Sequence, residues 1–296
     1  MLACLAVHWA ASGEDVWQKQ KLFQTLSEDL LLIAVTMTGR SLKASEASLE
    51  ESRGRLLELH QQLLSHLEKA RQVQVELLGV PPVSIEGFDL SVLYEVAVEL
   101  GGDLFFVKEL PNGLFFSVGD VSGRGPEAAI AAACVRVLLE ELVNERISPG
   151  ELLFRLQQRF SRLLPGDLFV TSFCADCDPQ DNTLVYANAG HDPPLLIRLR
   201  HEAVEELAGD SLPLGVDVDE RFPEHRLNFE PGDRLLVFTD GLIDARQNNG
   251  ERLGSQVVER LVMDSQGNSQ HLASQLMELA PEPRSDDVLV LFLTRQ

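Results

Sequence analysis

Five acidic residues share one local setting. Asp103 follows Gly101-Gly102, Asp120 follows Gly119, and Asp240 stands between Thr239 and Gly241. Asp286-Asp287 directly precede an apolar run, Val288 to Thr294. Each lies at a strand end beside a turn or polar break, where the backbone is rigid on one side and open to a ligand on the other. A carboxylate placed there costs stability unless something offsets its charge. Carboxylates, a backbone carbonyl and waters form an oxygen-only donor set, which suits Mg²⁺ or Mn²⁺ and not zinc. Several converging carboxylates repel one another unless divalent ions stand between them. Two such ions roughly 3.5–4 Å apart can share a hydroxide and aim it at phosphorus. That chemistry needs no protein nucleophile, and no Ser or Cys elbow stands out. Taken singly, Asp-Gly at 240–241 is ordinary turn chemistry; the repetition raises the case for a binuclear site and leaves the turn reading open.

The loop Gly119-Asp120-Val121-Ser122-Gly123-Arg124-Gly125 has a second reading. A strand, a glycine-rich turn and a helix N-terminus make an anion site. Asp120 would repel a phosphate there, no Lys-Ser/Thr pair follows, and the GxGxxG order is absent. A nucleotide cradle is therefore rejected, although Arg124 remains able to touch a substrate phosphate. Cys174-Ala-Asp-Cys177 is a CxxC on an extended stretch. Residues three apart on a strand face opposite sides, so zinc is not expected.

The elements that must hold these acids can be read from period and punctuation. Leu90–Tyr94, Leu114–Val118, Leu168–Ala175, Thr183–Ala187, Leu195–Leu199, His225–Phe229, Arg234–Thr239 and Val288–Thr294 read as strands. Glu127–Arg146, Pro149–Leu164, Gly254–Met263 and Ser269–Leu279 read as helices. Strands in succession with clustered helices predict packed sheets flanked by helices. Upstream, Leu42, Leu49, Leu56, Leu63, Ala70 and Leu77 keep a heptad spacing, with Leu59, Leu67 and Val73 filling part of a second seam. This predicts a long amphipathic helix over 41–78 that dimerises as a coiled coil or folds back on the catalytic domain. Gly79 and Pro81-Pro82 end it. Before it, Leu2–Trp9 reads as an apolar strand, Ser12–Asp15 as a turn, and Val16–Met37 as a helix. That piece is either a helix packing on a partner or the remnant of a sensor domain. The domains expected are thus 1–40, a linker over 41–84 and a catalytic domain over 85–296.

The chain has 296 residues and a formal net charge of −21. This excess argues against nucleic acid or an anionic membrane as partner and fits a protein that binds cations. Four cysteines in this length are no disulfide framework, so a reducing, cytoplasmic setting is expected. No apolar run reaches the roughly 18 residues of a bilayer span, and no basic region marks a signal peptide.

Five motifs, Gly101-Gly102-Asp103, Gly119 to Gly125, Asn188-Ala189-Gly190-His191, Phe238-Thr239-Asp240-Gly241 and Asp286-Asp287, occur in the order found in one family. Together they resemble the PPM-type (PP2C-like) serine/threonine phosphatases of the bacterial SpoIIE/RsbU class, over about 70–295. The resemblance implies an α+β, four-layer α/β/β/α sandwich and two Mn²⁺ or Mg²⁺ ions. It further implies metal-activated water attacking a phosphoserine or phosphothreonine, commonly on a STAS-type anti-sigma-factor antagonist. Position by position, Asp103, Asp120, Asp240 and Asp286 match the carboxylate ligands, and the Val121 carbonyl a fifth. Asp287 is an outer partner or an alternative ligand, and Asp244 matches a third, weak metal position. Asn188 and His191 fall near the fold's core. The N-terminal piece resembles the closing strand and helix of a GAF domain. Two departures favour a rival reading, an inactive pseudophosphatase acting as a scaffold. Phe106 stands where a second Asp is usual, and Val288-Leu289 replace Met/Ile-Thr.

Overall fold

The computed structural model describes residues 2–79, 81, 85–97, 100–163, 167–247, 251–264, 269–279 and 286–296, with side chains from Trp17 onward apart from Lys19 and Asp264. It contains two compact units, Met1–Ser65 and His66–Gln296.

The first helix, α1, runs without interruption over Leu2–Leu78. The strand expected at Leu2–Trp9 and the turn at Ser12–Asp15 are both replaced by helix. Local punctuation by Ser12 and Gly13 is a weak prior, costing only about 1 kcal/mol at a helical glycine, and the helical preference of the flanking segments prevails. The exit is as the sequence predicts. Gly79 takes φ +79 and its N–H donates to the Val75 carbonyl at 3.1 Å, a left-handed cap that alanine would adopt only with strain. The expected linker end at 82–84 lies outside the described residues.

The second unit follows in the order β1 (Phe88–Glu95), β2 (Asp103–Leu110), β3 (Gly113–Val121), α2 (Pro126–Val143), α3 (Pro149–Leu163), β4 (Val170–Asp178) and β5 (Thr183–Ala189). Then come β6 (Leu195–Arg198), β7 (Ala203–Glu206), β8 (His225–Asn228), β9 (Arg234–Phe238), α4 (Asp240–Asp244), α5 (Ser255–Asp264), α6 (Ser269–Leu279) and β10 (Val288–Arg295). Two antiparallel sheets result, ordered β1-β10-β9-β6-β7 and β2-β3-β4-β5-β8.

Three apolar layers hold them. Phe116, Phe173, Leu235, Val237, Leu289 and Leu291 fill the space between the sheets. Leu104, Phe106, Ala132, Leu139 and Leu156 join the second sheet to α2 and α3. Leu236, Phe238, Val258, Leu272 and Phe292 join the first sheet to α4, α5 and α6. Strand alternation explains the split: Leu235 and Val237 face one layer, Leu236 and Phe238 the other. This is the four-layer α/β/β/α sandwich. Cys174 and Cys177 point into different layers and are both buried, as their spacing requires.

Two strands were not legible as such. β2 carries Phe105 into the inter-sheet layer and Phe106 into the helix-facing layer. Both faces are buried, so the apolar–polar alternation that advertises a strand is missing. β7, Ala-Val-Glu-Glu, is a short edge strand with little burial.

Candidate metal centre

Antiparallel pairing of β2 with β3 sets Asp103 opposite Asp120. The glycines permit it. A Cβ on Gly102 would come 2.9 Å from the Val121 carbonyl oxygen, and the Val121 N–H donates to the Gly102 carbonyl at 3.3 Å. The Val121 carbonyl is thereby held beside the two acids.

The other sheet brings its own pair. β9 and β10 run antiparallel with Val290 opposite Phe238, so their site-side ends carry Asp240 and Asp286-Asp287 together. Gly241 is obligatory here: a Cβ would lie 1.8 Å from the Asp287 carbonyl oxygen. Thr239 bridges the sheets. Its hydroxyl donates to Asp103 Oδ2 at 2.7 Å and accepts the Leu289 N–H at 3.0 Å. Asp103, Asp120, Asp240, Asp286 and Asp287 therefore share one rim of the sandwich, fed by both sheets.

Their electrostatics are those of crowded, partly desolvated acids. Burial, then the Asp120 charge, raises the Asp103 carboxyl well above its usual range. Burial, then Asp240, pushes Asp120 up to about 7. Asp240 is raised by burial and by Asp286, and Asp287 chiefly by burial. Like charges drawn from water favour the protonated form.

The side chains nevertheless point to separate partners. Asp286 accepts from the Arg124 guanidinium at 2.5 Å. Asp287 accepts the backbone N–H of Ala97 at 2.9 Å and of Gly102 at 2.8 Å. Its carboxylate thus fixes the Gly101-Gly102 turn. Among the described residues no three His, Cys, Asp or Glu side chains already close around a common point. The donor chemistry still fits a hard divalent cation. It is oxygen-only, it holds more negative charge than the site relieves, and it includes a carbonyl fixed by a glycine contact.

Four residues of this neighbourhood have no role that the sequence assigns. Thr239 was legible only as the neighbour of Asp240. Asp192 is raised by burial and by Asp244, and it adds to the field on Asp240. Tyr94 lies over the Gly101 turn, where a Cβ on Gly101 would meet its hydroxyl at 2.2 Å, and burial raises its phenol. Gln74 of α1 is buried and donates through its amide to the Gly101 carbonyl at 2.7 Å, while accepting the Gly101 N–H at 3.4 Å. The heptad spacing could have flagged Gln74 only as a polar residue between seams.

The remaining predicted residues lie around the rim. Asn188 and His191 form a closed turn: Asn188 accepts the His191 N–H at 2.8 Å and donates to its carbonyl at 3.0 Å. The His191 ring is buried and held neutral, its pKa lowered by burial to about 4, with Thr171 Oγ1 3.1 Å from Nδ1. It shapes the rim from behind. Asp244 pairs with Arg252 at 2.8 Å. Phe106 lies in the helix-facing core, edge-on to Phe115 and under the Arg136 guanidinium. It is on the opposite face of β2 from Asp103, so the missing second acid does not empty a position on the rim. Val288 and Leu289 are both fully buried, and the Thr239 hydroxyl caps the Leu289 N–H.

Comparison with known proteins agrees with this architecture. Residues 111–296 match the family described as Stage II sporulation protein E (SpoIIE). Phosphoserine phosphatase RsbU of Bacillus subtilis is 26% identical over 243 residues, covering 80% of this chain and 72% of RsbU. Phosphoserine phosphatase RsbP of the same organism is 27% identical over 60% of this chain, which spans only 45% of RsbP. Among solved structures, the RsbU and RsbW domains of a Mycobacterium tuberculosis protein superpose with TM-score 0.61 at 28% identity, over 72% of this chain and 61% of that one. The SiaA-PP2C domain of Pseudomonas aeruginosa shares the fold with TM-score 0.67 at 20% identity, over 80% of this chain and 98% of that one. The chain belongs to the SpoIIE family and is a PPM-type serine/threonine phosphatase of the RsbU class.

Proposed function

We propose that this protein is a metal-dependent phosphatase of phosphoserine or phosphothreonine, acting on a protein substrate of the STAS type in sigma-factor signalling. The observation that carries the reading is the gathering of strand-end carboxyls from two sheets onto one rim. Asp103, Asp120, Asp240, Asp286 and the Val121 carbonyl would hold two Mn²⁺ or Mg²⁺ ions. The bound pair would supply a hydroxide nucleophile and charge stabilisation at phosphorus. Asp287 positions the Gly101-Gly102 turn, and Thr239 orients Asp103 and ties it to β10. His191 stays neutral and packs behind the Asp120 strand end.

The names of RsbU and RsbP as phosphoserine phosphatases support the substrate class. The α1 face bearing Leu42, Leu49, Leu56 and Leu63 is exposed at every one of these positions. A second copy supplying the same seam would cover it, making the protein a homodimer through its N-terminal helix.

The test is hydrolysis of p-nitrophenyl phosphate and of a phosphorylated STAS protein at millimolar Mn²⁺, with Asp120→Asn as control. Turnover that requires the cation and vanishes in the variant is expected. A folded wild type with no turnover, whose calorimetry shows partner binding and no cation titration, would establish the scaffold reading instead.

A further inference from the structure

Arg124 has an unusual position for the cation of an acidic rim. Its guanidinium donates to Asp286 Oδ2 at 2.5 Å, yet its side chain remains 62% exposed. The fields of Asp286, Asp287 and Asp240 all act on it. It stands between Gly123 at φ +93 and Gly125 at φ +79, and no atom lies within 4 Å of where a Cβ would stand on either. The two glycines leave the segment free to re-aim the side chain without a steric cost. The Arg–Asp pair therefore rests on one charged hydrogen bond and the field of the neighbouring acids, with no packing to hold it. A carboxylate oxygen engaged by a guanidinium is not free to ligate a cation. A divalent ion held on this rim would offset the negative field around Arg124 and repel the guanidinium.

We propose that Arg124 is a switching residue: it pairs with Asp286 until a divalent cation takes that carboxylate, then binds the phosphoryl group of the substrate. This rests on the metal-dependent reading of the rim. The guanidinium fork matches two non-bridging phosphoryl oxygens, which a single ammonium does not. The same side chain thus opposes metal loading and supports phosphate binding, two roles with opposite signs on removal.

Those signs make the test. Mn²⁺ is titrated calorimetrically into the full chain and into Arg124→Ala and Arg124→Lys, and inorganic phosphate is then scored as a competitive inhibitor of each Mn²⁺-loaded protein. Because an exposed ion pair is weak, Arg124→Ala should bind Mn²⁺ only about two- to fivefold more tightly. Losing a bidentate charged contact should weaken phosphate inhibition by roughly tenfold or more. Arg124→Lys should keep near-wild-type Mn²⁺ affinity and lose part of the phosphate affinity. Unchanged or weaker Mn²⁺ binding in Arg124→Ala overturns the switch, as does unchanged phosphate inhibition. In either case the phosphatase reading stands, provided the wild type binds Mn²⁺ and turns over. A wild type that binds no Mn²⁺ removes both.

Discussion

The helix before residue 66 and the sandwich after it use apolar residues in opposite ways. Leu22, Phe23, Leu30, Leu31, Leu42, Leu49 and Leu56 of α1 are all exposed, whereas Phe116, Phe173, Leu236 and Phe292 are fully buried. The sandwich closes its own core through three layers. A single helix has no second face of its own to close against. The difference separates two kinds of element: the sandwich buries its apolar residues and gathers acids on one rim, and the helix leaves its apolar residues exposed.

Core truncation gives the largest contrast. Phe116→Ala should cost the sandwich about 3–5 kcal/mol, read as a lower melting temperature, whereas Leu56→Ala should leave that transition within ~0.5 kcal/mol. Equal losses would show that the helix is part of the sandwich's cooperative unit. Asp120→Asn should reduce turnover on the order of a thousandfold, or about 4 kcal/mol of transition-state stabilisation, with association unchanged. Leu56→Glu with Leu63→Glu should shift sedimentation from dimer to monomer and leave the sandwich transition in place. An unchanged association state would refute the dimer seam.

Gln74 belongs to the last turns of α1, within the second unit, and is bonded to the Gly101 turn. Gln74→Ala should weaken Mn²⁺ affinity by roughly tenfold, as removal of an outer partner of a metal site does, while the melting temperature moves little. The smallest effect is a pH slope. Asp120 is raised from 3.8 to about 7 in the folded chain, so the native state holds a proton that the unfolded chain releases. Stability of the chelated protein should therefore be greatest below pH 4 for this group and decline as pH rises towards about 7. Calorimetric melting in EDTA would show the decline, and Mn²⁺ at pH 8 should reverse it. Asp120→Asn should flatten that contribution, and a variant whose melting temperature follows pH as the wild type's does would show that Asp120 is not its source.

The sequence alone determined the acids beside glycine turns, the heptad spacing, the Gly79 stop and most strands, because turn chemistry and side-chain periodicity are local. It determined neither β2 nor the continuous helix over Leu2–Leu78. In β2, Phe105 and Phe106 are buried on opposite faces and erase the alternation. At Ser12-Gly13 the residues read as a turn although the chain continues as helix. The face on which Phe106 lies likewise needed the β2 register to be known. Only the tertiary structure decided that Asp103 and Asp120 of one sheet meet Asp240 and Asp286 of the other. Strand register and sheet stacking join residues more than a hundred positions apart, and no local pattern records which strand ends share an edge. Thr239, Asp192, Tyr94 and Gln74 belong to the same class: their roles arise from what folds against them.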